Sequence, residues 1–82
     1  MKAFGYPNGQ PLNKYGLVKL KEVSISADVE TIRSIAKFLL DAAEEMEQLG
    51  ERYDHVHMQD KCSAWKDSWP DIVIAKPINS KT

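Results

Sequence analysis

Residues 28–49 read Asp28-Val29-Glu30-Thr31-Ile32-Arg33-Ser34-Ile35-Ala36-Lys37-Phe38-Leu39-Leu40-Asp41-Ala42-Ala43-Glu44-Glu45-Met46-Glu47-Gln48-Leu49, and this stretch decides the fold. Val29, Ile32, Ala36, Leu39, Ala43 and Met46 recur at steps of three and four, the spacing of one helix face. Ile35, Ala42 and Leu49 widen that strip on one side, and Leu40 on the other. Glu30, Ser34, Lys37, Asp41, Glu44, Glu45 and Gln48 fall opposite it. Ser26 or Asp28 can accept from the free amides of the first turn, and Gly50 supplies the stop. A single helix with one apolar strip calls for a sheet face to cover it.

The flanks supply candidate strands. Residues 17–26 alternate, with Val23 and Ile25 on one face and Ser24 and Ser26 on the other. Val18 and Leu20 break the parity, and a bulge near Lys21-Glu22 would restore it. Residues 53–59 alternate again. Val56 and Met58 point one way, and Tyr53, His55, His57 and Gln59 the other. Residues 60–70 form a connection, and residues 71–76 form a last strand that Pro77 ends. Asn8-Gly9 is a turn dipeptide and Pro7 and Pro11 interrupt a ladder, so residues 1–16 read as an irregular N-terminal arm. Residues 78–82 read as a frayed tail. The expected fold is α+β in two layers. It runs β-α-β-β over a single domain, residues 17–77, with one long helix on a three-stranded mixed sheet. The first two strands can then lie parallel across the helix, and the far sheet face stays bare. That face would hold Ser24, Tyr53, His55, His57, Val73 and Ala75.

Size and charge narrow the function. The chain has 82 residues, 11 Lys+Arg, 12 Asp+Glu and one Cys. Such a small domain has little volume to spare for a deep pocket. A lone Cys excludes a disulfide framework and a multi-cysteine zinc site within one chain. The net charge of -1 gives no support for nucleic-acid binding. That total hides an asymmetry. Residues 1–27 hold four Lys and one Glu (+3), residues 28–60 three basic and nine acidic residues (-6), and residues 61–82 four Lys and two Asp (+2). No apolar run approaches the ~20 residues that cross a bilayer. No signal segment stands out, so a cytoplasmic protein with Cys62 reduced is expected.

Three groups can carry chemistry. His55 and His57 project from one strand face, where they serve structure or partner contact, a metal with Cys62 as third ligand, or proton transfer. Asp54 flanks them but alternates to the other face. Asp41, Glu44, Glu45, Glu47 and Glu51 crowd the negative end of the helix dipole, against local stability. They are either a solvated face or a surface that steers a basic partner. Trp65 and Trp69, four residues apart, either seal the core rim or anchor a partner. No glycine-rich phosphate loop and no ordered Ser/His/Asp set is present.

The run Glu22-Val23-Ser24-Ile25-Ser26-Ala27 opens a longer pattern. It continues through Ile32, Ile35-Ala36 and Phe38-Leu39, then Asp54-His55-Val56-His57-Met58-Gln59, Trp65 and Pro70-Asp71-Ile72-Val73-Ile74. Together these resemble a small α+β immunity-protein family of bacterial polymorphic toxin and contact-dependent inhibition systems. The resemblance covers roughly residues 20–77. It implies a protein that binds and neutralises a cognate toxin, a nuclease among the candidates, with no catalysis and no cofactor. Asp41, Glu44, Glu45, Glu47, His55, His57, Trp65 and Trp69 are then the expected contact residues. Two rivals stand beside it: a metal-dependent enzyme centred on His55 and His57, and a homodimeric module that pairs edge strands or the bare sheet face.

Overall fold

The structure is a computed structural model that describes residues 1–77; the expected tail, 78–82, lies outside the described residues. The chain is α+β, with strand β1 at Lys2–Pro7, β2 at Leu20–Ser26, helix α1 at Val29–Leu49, β3 at His55–His57, a short helix α2 at Met58–Lys61 and β4 at Val73–Ala75. A 3-10 turn, Gly50–Arg52, follows α1.

Helix α1 begins and ends where its sequence dictates. The Asp28 carboxylate accepts from the Thr31 amide at 2.8 Å, satisfying one free donor of the first turn. That bond holds the Asp28 carboxyl below the usual carboxylate range. Gly50 closes the helix at φ 55°, a left-handed value that a side chain would disfavour, and its amide donates to the Met46 carbonyl.

The sheet differs from the expectation. Among the described residues the three-stranded mixed sheet is replaced by two separate two-stranded antiparallel sheets, β1 with β2 and β3 with β4. Strand β2 turns to β1 because Lys2–Pro7 is an extended segment close by in sequence. Closing the twelve-residue loop between them, residues 8–19, costs less entropy than carrying β2 across a 21-residue helix to β3. Residues 2–7 are therefore a strand rather than part of an irregular arm. Pro7 marks its end and Gly5 sits inside it. Leu20 explains the glycine, since a Cβ at Gly5 would lie 2.7 Å from the Leu20 Cδ1. The register pairs Tyr6 with Glu22 and Pro7 with Leu20, so Lys21 is skipped. That shift is the parity correction the sequence calls for, and it returns Leu20 to the face of Val23 and Ile25.

The core lies in the C-terminal two thirds. Ile35, Phe38 and Ala42 of α1 pack with Tyr53, Val56 and Met58, and Thr31 is buried beside them. Only one edge of the expected strip of α1 is buried: Ile35 and Ala42 lie in the core with Met46 and Leu49 against it, and Phe38, which was not expected, joins them. Val29, Ile32, Leu39 and Leu40 are exposed, and the buried side lies about a third of a turn away, through Phe38. The helix is apolar around more than half its girth, so periodicity alone cannot select the side. Packing selects it, because the β3–β4 sheet presents Val56 and Ile74 and needs the bulk of Phe38 against them. Met58 is completely buried. Burying a side chain of this size contributes about 2–3 kcal/mol. Strand β3 stops at His57 rather than running to Gln59, because Met58 turns into α2 to reach the core.

Candidate functional site

Strand β3 alternates inward and outward over three residues. Val56 is buried, while His55 and His57 face away from α1. Antiparallel pairing sets His55 opposite Ala75 and His57 opposite Val73. The two rings meet edge to face, 4.9 Å apart and inclined by 76°. This is the same-side pair that the x-x-x alternation of the strand requires.

Each ring is held by its own carboxylate. His55 Nδ1 lies 2.5 Å from Asp54 Oδ2, and His57 Nδ1 lies 2.6 Å from Asp71 Oδ2. Asp54 thus turns back to the histidine face, contrary to simple alternation, and its other oxygen lies 3.4 Å from Lys76 Nζ. The histidine contact, followed by Lys76, holds the Asp54 carboxyl below its usual value. Burial pushes the Asp71 carboxyl up. The Gln59 amide, which donates to Asp71 Oδ1 at 3.0 Å, and the His57 ring together outweigh it, and the net shift is downward. Asp71 was not among the residues the sequence singled out. Its signal is register: pairing 55–57 with 73–75 carries residue 71 past His57 to Gln59.

Holding Nδ1 against a carboxylate leaves Nε2 of each ring free for an outside group, the orientation used by histidines that ligate or exchange a proton. The third ligand does not join them. Cys62 packs against the core and lines a depression with Ser34, Lys37, Phe38, Asp41 and Lys61. Among the described residues, no three His, Cys, Asp or Glu side chains come together as a metal-binding group. Tyr53 also leaves the expected histidine face. It is buried, and its hydroxyl donates to the Ile74 carbonyl at 2.5 Å. Burial raises its pKa, and the charges of Glu45 and Asp54 add to the shift.

The acidic end of α1 forms a second surface. Asp41 accepts from Lys37 Nζ at 2.8 Å, one turn away, which raises the lysine pKa. Glu44 and Glu47 border a shallow groove with Leu40, Ala43 and Gln48. Glu45 is half-buried towards Tyr53. No basic residue occupies the last turn of the helix. Trp65 and Trp69 belong to neither surface in full. Both are half-buried and pack against the core cluster, and Lys66 Nζ stands 5.9 Å from the Trp69 ring centre. The Trp65 Nε1 is buried and has no acceptor among the described residues.

A family model, Immunity protein 32, matches residues 22–77, about two thirds of the chain. The chain belongs to the Immunity protein 32 family. No curated protein and no solved structure gives a match. The Immunity protein 32 match begins at Glu22, inside β2, and runs to Pro77. It takes in both faces of α1, the two His–Asp pairs and the tryptophans, and leaves out β1 and the loop after it. The sequence resemblance to an immunity family is thereby met over nearly the same span. Among the described residues, no helix is long and apolar enough to cross a membrane.

Proposed function

We infer that this protein neutralises a cognate toxin by binding it, one folded surface against another, without catalysis and without a cofactor. Membership of the Immunity protein 32 family carries the inference. The distribution of charge supports a basic toxin, such as a nuclease, as the partner. Asp41, Glu44, Glu45 and Glu47 gather at a helix end where they cost local stability, and a steering role repays that cost. His55 and His57 offer Nε2 atoms beside two ionised carboxylates, a surface that can receive Lys and Arg side chains. The exposed edges of Trp65 and Trp69 add apolar contact area on a rigid base.

Co-expression with the reading frame immediately upstream of the gene tests the reading. The chain is expected to rescue cells from that product, and failure to rescue rejects the inference. The acidic surface has its own test. Reversing Glu44 and Glu45 to Lys is expected to slow association about tenfold at low salt and to flatten its salt dependence. An unchanged rate would move the contact to another face.

A further inference from the structure

Among the described residues, nothing covers two apolar surfaces of this molecule. One is the second strip of α1, with Val29 64%, Ile32 44%, Leu39 43% and Leu40 72% exposed. The other is one face of the β1–β2 hairpin, with Leu20 46%, Val23 63% and Ile25 39% exposed. Before α1, Met1 is partly buried against the core, whereas Leu20, Val23 and Ile25 are exposed. A two-stranded hairpin with both faces in water is marginal by itself. The whole chain is correspondingly open. It exposes 6853 Å², where a compact monomer of this mass exposes about 5,000 Å². The surplus is on the order of 1,000 Å².

We propose that a second copy of this chain covers both surfaces at once. The Leu20/Val23/Ile25 face of each hairpin lies on the Val29/Ile32/Leu39/Leu40 strip of the other copy's α1, and the exchange is reciprocal about a two-fold axis. Three observations select a second copy over a foreign protein. First, the chain has one sheet without a helix and one helix face without a sheet, so two copies complete each other and close. Second, the charges are complementary. Residues 1–27, which include the hairpin, carry +3, with Lys19 and Lys21 beside Leu20, while residues 28–60 carry -6. Glu44 and Glu47 border the groove at Leu40 and Ala43, where those lysines would arrive. Third, the surplus area matches or exceeds the ~800 Å² that each partner gives to a stable interface. The proposal shares the Glu44/Glu47 groove with the toxin reading and leaves the histidine face free, and sedimentation of the chain alone tests it without any toxin.

Sedimentation of the purified full chain from about 1 to 300 µM tests it. The expected species is a dimer, twice 9.3 kDa. Val23→Asp and Leu40→Asp replace exposed side chains and are each expected to weaken it at least a hundredfold, with the helical circular dichroism retained. Lys21→Glu is expected to weaken it about tenfold, and Glu47→Lys in the same chain to restore most of the loss. A monomer throughout the range overturns the proposal. So does a dimer indifferent to both Val23→Asp and Leu40→Asp.

Discussion

The segment from Thr31 to Ile74 and the hairpin before it are built from similar residues and have opposite fates. In the first, Phe38, Tyr53, Val56 and Met58 are buried around α1. In the second, Phe4, Tyr6, Val23 and Ile25 are equally apolar and stay in water. Apolar content therefore does not decide burial here; the availability of an opposing face does. Strands β3 and β4 have α1 against them, whereas β1 and β2 have each other and, among the described residues, no helix beneath.

The contrast can be broken most forcefully at Phe38. Phe38→Ala is expected to cost about 3–5 kcal/mol, which approaches the whole stability of a small domain. Val23→Ala, measured at concentrations where the chain is a single copy, is expected to cost no more than about 0.5 kcal/mol. Chemical denaturation of the two variants makes the comparison. Similar losses would mean that the hairpin is packed in solution.

A smaller effect belongs to Asp71, which ties the segment before β4 to His57 of β3 and to the Gln59 amide of α2. Asp71→Ala is expected to cost about 1–2 kcal/mol at neutral pH. The folded state holds this carboxyl below its ordinary value of 3.8, so folding favours the ionised form. Its contribution is complete above that value and fades as pH falls through the lower folded one. Denaturation series at pH 6 and pH 2.5 should therefore differ less for Asp71→Asn than for the parent chain. Equal differences would show that Asp71 adds nothing to acid sensitivity.

The smallest expected effect is at Tyr53. Tyr53→Phe keeps the packing and removes one hydrogen bond to the Ile74 carbonyl, for about 1 kcal/mol. No loss would mean that water replaces the hydroxyl, and the seam between β3 and β4 would be wetter than its burial implies.

Much of the body was legible in the sequence. The span of α1, its Asp28 cap, its Gly50 stop, the outward His55/His57 pair and the Lys21 register shift all follow from local rules. The side of α1 that faces the core followed only in part: Ile35, Ala42 and Leu49 were expected there, and Phe38 was not. Two apolar strips share that helix, and only the position of β3–β4 chooses Phe38 over Leu39. Strand β1 was hidden by Pro7 and Gly5, residues that read as breakers. Here they end the strand and make room for Leu20. Asp71 could not be assigned because its partner, His57, is 14 residues away and is reached only through strand pairing.

Neutralisation by binding is open to a direct titration of this chain into a fixed amount of the purified upstream gene product while that product's activity is followed. A straight decline that ends at a fixed, near-stoichiometric ratio is expected. Full activity in the presence of excess chain would contradict it.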